Sequence, residues 1–167
     1  MRTPSHKKHV LVMGVGNTLL QDDGVGIHVT NRLRAENEAQ RNVAYLDGGT
    51  IGLSLLPSVE DADALIIVDA AEMNAPPGTV RIFRDAEIER QMSGRKRSVH
   101  EVAISDLLSA ASLRGTCPAQ CALVAIQPFS TDLGLEPTPL IQAAILTACA
   151  AVNELTGELT RGYQHET

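Results

Sequence analysis

The chain has 167 residues, with 14 lysines and arginines against 20 aspartates and glutamates, a net charge of −6. This length suits one domain with its own hydrophobic core, and 44% hydrophobic against 20% charged residues excludes a disordered chain. No apolar run approaches the roughly 18 residues of a membrane span, and an acidic chain with two Tyr, two Phe and no Trp lacks the basic face and stacking platforms of a nucleic-acid binder.

The arm 1–9 is basic and precedes the apolar stretch Val10 to Val15. That stretch is shorter than the roughly 7–15 residues of a signal-peptide core, and no small-residue cleavage site follows before Asp22 and Asp23, so the expected compartment is the cytoplasm. Val10-Leu11-Val12-Met13, bounded by Gly14 and Gly16, predicts a strand buried on both faces. Val25, Val29 and Leu33 recur at steps of four and predict an amphipathic helix from residue 24 to about 36. A strand is expected at Val43-Ala44-Tyr45-Leu46, stopped by Asp47-Gly48-Gly49, then a short helix from Gly52 to about Val59. Leu65-Ile66-Ile67-Val68 reads as a fully apolar strand ending at Asp69.

Asn74 to Gly78 is a turn cluster, after which Thr79 to Phe83 alternates as an edge or hairpin strand would. Ile104, Leu107, Leu108 and Ala111 predict a helix from Ser98 onward, with Gly115 as its stop. A strand follows at Ala122 to Ile126, a loop from Gln127 to Pro139, and a last helix from about Leu140 to Leu155 with Ala144, Ala148, Ala151 and Leu155 in one stripe. Strands alternating with helices imply an α/β three-layer sandwich: a twisted, mostly parallel sheet with helices on both faces. The core spans about 10–155, with the basic arm 1–9 before it and a tail at 157–167. Cys117, Cys121 and Cys149 are odd in number and lack the spacing of a redox or zinc motif, so they read as small buried hydrophobes in a reducing compartment.

In such sheets chemistry collects beyond the carboxyl ends of the strands. Three segments fall there: Gly14 to Gly26, Asp47-Gly48-Gly49-Thr50, and Asp69-Ala70-Ala71. The first two suggest a dinucleotide fingerprint, but Leu19 stands where its third glycine belongs and Asp47 lies well past the acid position about 20 residues on. No Gly-Lys-Ser/Thr of a phosphate loop occurs. Of the adjacent acids Asp22 and Asp23, one is expected to cap the following helix, leaving the other to face a pocket. Asp69 follows four apolar residues, where a carboxylate is costly unless paired or metal-bound. Asp47 is open to two readings, a turn residue bonding nearby amides or a site residue.

Among the histidines, His100 opens a helix near the collected loops. His100-Glu101 begins like a zinc-protease helix, but the second histidine that motif needs is replaced by Ile104. No Gly-x-Ser-x-Gly elbow is present. Two carboxylates and an imidazole from separate loops remain, a set suited to a borderline divalent metal such as nickel or zinc.

Four ordered blocks carry a further signal: Gly14-Val15-Gly16-Asn17-Thr18-Leu19-Leu20-Gln21-Asp22-Asp23-Gly24-Val25-Gly26; Asp47-Gly48-Gly49-Thr50-Ile51-Gly52; Leu65 to Ala70; and His100 with Asp106-Leu107-Leu108. Together they resemble the hydrogenase maturation endopeptidases, which process the large subunit of [NiFe] hydrogenases, from about Val10 to about Leu155. The resemblance implies a mixed sheet of about five strands, and Asp23, Asp69 and His100 as the catalytic and metal-contacting set. It implies removal of a short C-terminal extension from the large-subunit precursor after nickel insertion, with nickel supplied by that precursor. Because three O, O and N donors without cysteine bind weakly, no metal is expected to be held tightly by the resting enzyme. Gly24, Gly26, Asp47, Gly48, Gly49 and Thr50 are expected to line the substrate cleft. The basic run Arg95-Lys96-Arg97 reads as a solvated loop. The expected form is a monomer without membrane or nucleic-acid contacts; the non-enzyme alternative is a nickel-binding maturation chaperone.

Overall fold

The computed structural model describes residues 8–50, 52–93 and 99–161. Its elements run β1 (Val10–Gly14), α1 (Val25–Glu36), β2 (Val43–Asp47), α2 (Leu56–Glu60), β3 (Ala64–Ala70), β4 (Val80–Arg84), α3 (Ala86–Met92), α4 (Val99–Leu113), β5 (Gln120–Ile126) and α5 (Pro139–Arg161), with 3-10 turns at Gln21–Gly24 and Leu53–Leu55. The five strands form one sheet in the order β2-β1-β3-β5-β4. β2, β1, β3 and β5 are parallel, and β4 closes the edge antiparallel to β5. The mixed, mostly parallel sandwich expected from the sequence is the observed fold.

Strand alternation sorts side chains onto the two faces. Val10 and Val12 of β1 with Ile66 and Val68 of β3 pack against Val25, Val29 and Leu33 of α1 and Ile141, Val152 and Leu155 of α5. Leu11, Met13, Leu65 and Ile67 pack on the other side against Val59, Ile88, Met92, Ile104 and Leu107, from α2, α3 and α4. β1 and β3 are therefore buried on both faces, which is why they read as unbroken apolar runs. Because Leu65 and Ile67 face α4, the same alternation turns Asp69 toward α4.

Three expectations change. α3 was unforeseen; its seven residues contribute only Ile88 and Met92 to the core, too few for a period to stand out. The last helix does not end at Leu155 but runs to Arg161, with Leu159 buried against the sheet, so 157–161 belong to the core and not to a tail. By length and composition α5 could cross a membrane; in the fold one of its faces covers the sheet. Finally, the arm is held at its end: His9 donates its backbone N–H to Asp63 Oδ2 at 2.7 Å. The run at 95–97 lies outside the described residues.

Candidate active site

The chain leaves β1, returns through β2 on one side, and crosses to β3 on the other, so a crevice opens at the carboxyl ends of β1 and β3. Backbone bonds lace the loops around it. Val15 donates to the Val68 carbonyl at 2.9 Å, Gly48 to Gly14 at 2.8 Å, and Gly16 to Gly49 at 2.8 Å. Gly16 has φ +142°, and a Cβ there would lie 1.9 Å from the carbonyl oxygen of Asp23. Only glycine permits this approach, which seats the backbone of Asp23 against the end of β1.

Asp23 sits in the 3-10 turn before α1, Asp69 near the end of β3, and His100 at the second residue of α4. The fold brings these three distant residues together. His100 Nε2 is 3.5 Å from Asp23 Oδ2, and His100 Nδ1 is 3.6 Å from Asp69 Oδ1. Their side chains grade inward from Asp23, 19% exposed, through His100 at 10% to Asp69 at 2%. Asp23 Oδ2 also accepts the backbone N–H of Asn17 at 3.1 Å, which fixes its direction.

The inner pair is under electrostatic tension. Complete burial pushes the Asp69 carboxyl up to about 7, only partly offset by the neighbouring His100. His100 is itself raised above its ordinary value, chiefly by the adjacent Asp69, against the opposing effect of burial. At 3.6 Å their facing atoms are beyond hydrogen-bond length, and Asp69 Oδ1 and His100 Nδ1 are both buried without a partner. Two orphaned polar atoms of this kind fit a site that a cation or a reacting group completes. His100 nevertheless turns a different nitrogen to each carboxylate. Among the described residues no three His, Cys, Asp or Glu side chains gather into a ready-made ion site.

The other expected site residues divide. Asp22 does not cap α1, nor does Asp23, for that helix has no side-chain cap. Asp22 is fully buried and accepts the backbone N–H groups of Phe129 and Ser130 at 2.9 Å each and of Thr138 at 2.6 Å. The Thr138 hydroxyl lies 2.9 Å from both of its oxygens. The long loop before α5 is thus tied to the turn that carries Asp23, a function the sequence signalled only as one acid too many.

Gly24 and Gly26 do not line a cleft. Both are buried; a Cβ on Gly26 would lie 2.1 Å from the Val68 carbonyl, and one on Gly24 2.7 Å from the Thr18 Cα. Their missing side chains admit this chain's own backbone, not a substrate. Asp47 takes the turn role, its Oδ1 accepting the Gly49 N–H at 2.8 Å. Gly48 packs close to Met13, whereas Gly49 faces open space beside exposed Thr50.

Comparison with known proteins agrees with this fold. A family model described as hydrogenase maturation protease matches residues 27–155. The hydrogenase expression/formation protein HupD of Rhodobacter capsulatus is 38% identical over 160 residues, covering 93% of this chain and 76% of its own length. The hydrogenase 2 maturation protease of Escherichia coli is 38% identical over 151 residues, covering 87% of this chain and 91% of its own. Among solved structures, the hydrogenase maturating endopeptidase HybD from E. coli superimposes with a TM-score of 0.82 at 35% identity, over 90% of this chain and 93% of that one. With family model, relatives and fold in agreement, this chain belongs to the hydrogenase maturation proteases.

Proposed function

We propose that this protein is an aspartyl-type endopeptidase that removes a short C-terminal extension from a [NiFe] hydrogenase large-subunit precursor after nickel has been inserted. The observation that carries the reading is the meeting of Asp23, Asp69 and His100, from a 3-10 turn, a strand end and a helix start, at the sheet's switch point. The unpartnered, facing atoms Asp69 Oδ1 and His100 Nδ1 support a reacting group or ion at this point. Membership of a protease family favours this reading over a nickel-binding chaperone that does no chemistry.

Nickel enters as part of the substrate. The carboxylates of Asp23 and Asp69 and the imidazole of His100 are the O, O and N donors that would grip it, and its contribution is to tether the substrate and polarise the scissile carbonyl. Hydrolysis adds water across the peptide bond, its hydroxyl to the carbonyl carbon and its proton to the departing nitrogen. Asp23, the more exposed carboxylate, is placed to take the proton from water, and His100, within reach of both acids, to deliver one to the amine. Gly49 and Thr50, at the open end of β2, form one wall along which the C-terminal segment lies. The three free cysteines suit action in the reducing cytoplasm.

The deciding experiment is the intact mass of a nickel-loaded and a nickel-free large-subunit precursor after incubation with catalytic amounts of the protein or its Asp23→Asn variant. Loss of one C-terminal peptide from the nickel-loaded form alone, abolished by Asp23→Asn, is the expected result. Equal cleavage of both forms would remove nickel from the mechanism, and stoichiometric nickel binding without cleavage would favour the chaperone.

A further inference from the structure

The loop between β5 and α5 holds large apolar side chains out into solvent. Phe129 is 69% exposed, Leu133 84% and Leu135 68%, and Leu19 in the loop after β1 is 57% exposed. Loops are ordinarily built of polar and turn-forming residues, so such a concentration needs a reason. Loose packing is not that reason. Asp22 consumes the backbone donors at Phe129, Ser130 and Thr138. In the middle of the loop, Gly134 donates to the Leu19 carbonyl and accepts from the Gln21 N–H, 2.9 Å each, in a short parallel bridge with Leu20. Leu19, Leu133 and Leu135 therefore surround one joint between two segments, and the joint sits on the turn that carries Asp23. Asp132 and Glu136, both exposed, flank the leucines along the loop.

We propose that this platform is where the folded body of the protein substrate docks, next to the segment being cut. The proposal rests on the peptidase reading above. The patch adjoins the turn that carries Asp23, so a protein whose C-terminal segment reaches Asp23 can rest its folded body there. Its apolar centre and acidic edge fit a partner surface that is apolar in the middle and basic around it, the usual anatomy of a specific interface. Rigid presentation lowers the ordering cost of association.

The test compares wild type, the double variant Leu133→Glu/Leu135→Glu, and Leu113→Glu as a control, Leu113 being 90% exposed at the far end of α4. Each is assayed on the nickel-loaded large-subunit precursor of a [NiFe] hydrogenase from the same organism, with thermal melts to verify folding and sedimentation velocity to follow self-association. The double variant is expected to raise KM about tenfold or more with kcat within about twofold, and Leu113→Glu to leave both unchanged. An unchanged KM in the double variant, with wild type active, overturns the docking surface while the peptidase reading stands. A wild-type dimer that the double variant dissolves, with processing unchanged, assigns the patch to a second copy of the chain and also overturns it. Wild type that releases no peptide overturns the peptidase reading and this proposal with it.

Discussion

Asp22 and Thr138 are joined across 116 residues by the Thr138 N–H at 2.6 Å and by its hydroxyl at 2.9 Å. Replacing Asp22 by Ala strands three part-buried backbone donors at once, and an unmet group costs up to about 1–3 kcal/mol when water cannot reach it. Asp22→Ala is therefore expected to lose about 1–3 kcal/mol in all, seen as a lower urea midpoint. Asp22→Asn keeps an acceptor and should lose less. Equal stability of Asp22→Ala and wild type would contradict the anchoring role.

Asp69 is expected to trade stability for activity. Its carboxyl is raised toward about 7 by burial, so the folded state holds its proton more tightly than the unfolded chain, and stability declines as pH rises from about 4 to about 7. The neighbouring His100, also raised, adds a decline of the same sign that begins only above its ordinary value of 6.5. Asp69→Asn removes the buried charge and should flatten the decline. Its melting temperature should equal wild type near pH 4 and exceed it by a few degrees at pH 8, at about 2–4 °C per kcal/mol, while processing is lost. A variant that melts lower than wild type at pH 8 would contradict the assignment.

Two glycines should separate packing from cleft. Gly26→Ala puts a methyl carbon 2.1 Å from the Val68 carbonyl and is expected to cost more than about 3 kcal/mol or to prevent soluble expression. Gly49→Ala meets no atom within 4 Å and pays only for its φ of +54°, about 1–2 kcal/mol. It should fold and show whatever effect it has in KM. Thermal melts of the two proteins, run side by side, decide the matter.

The Cys121 and Cys149 thiols should be inert in the folded protein. Burial, with Cys117 beside it, pushes the Cys121 thiol up to about 12, and burial also raises Cys149. Native Cys121 should react with iodoacetamide at pH 8 more than about a hundredfold slower than in the urea-unfolded chain, since the thiolate is the nucleophile. Rates at individual cysteines follow from peptide mapping by mass; fast native labelling at Cys121 would refute the buried setting.

Much of the architecture was legible because its two central strands carry unbroken apolar runs, Val10 to Met13 and Leu65 to Val68, and because turn residues bound the elements. Asp69 stood out in the sequence as an acid with no bland place to go, and alternation from Leu65 through Ile67 could have assigned its face. What one sequence could not supply was which helix covers that face, so the approach of His100 to Asp69 had to await the fold. The glycines misled for a related reason. A missing side chain signals close approach, but not whether the visitor is a substrate or, as at Gly26, the chain's own β3. Asp22 was misread because helix capping is a local answer, whereas its partners lie more than a hundred residues away.

That separation bears on the order in which the protein is made. Asp23 emerges during synthesis long before Thr138, and the turn carrying it lacks the anchor that Asp22 provides until the loop before α5 has been translated. Contacts so distant in sequence close late, because loop closure has to precede the bonds that reward it. An unfinished chain on the ribosome thus holds its acids without the scaffold that aims them, and the protease becomes competent to cut only once its final helix is there to complete it.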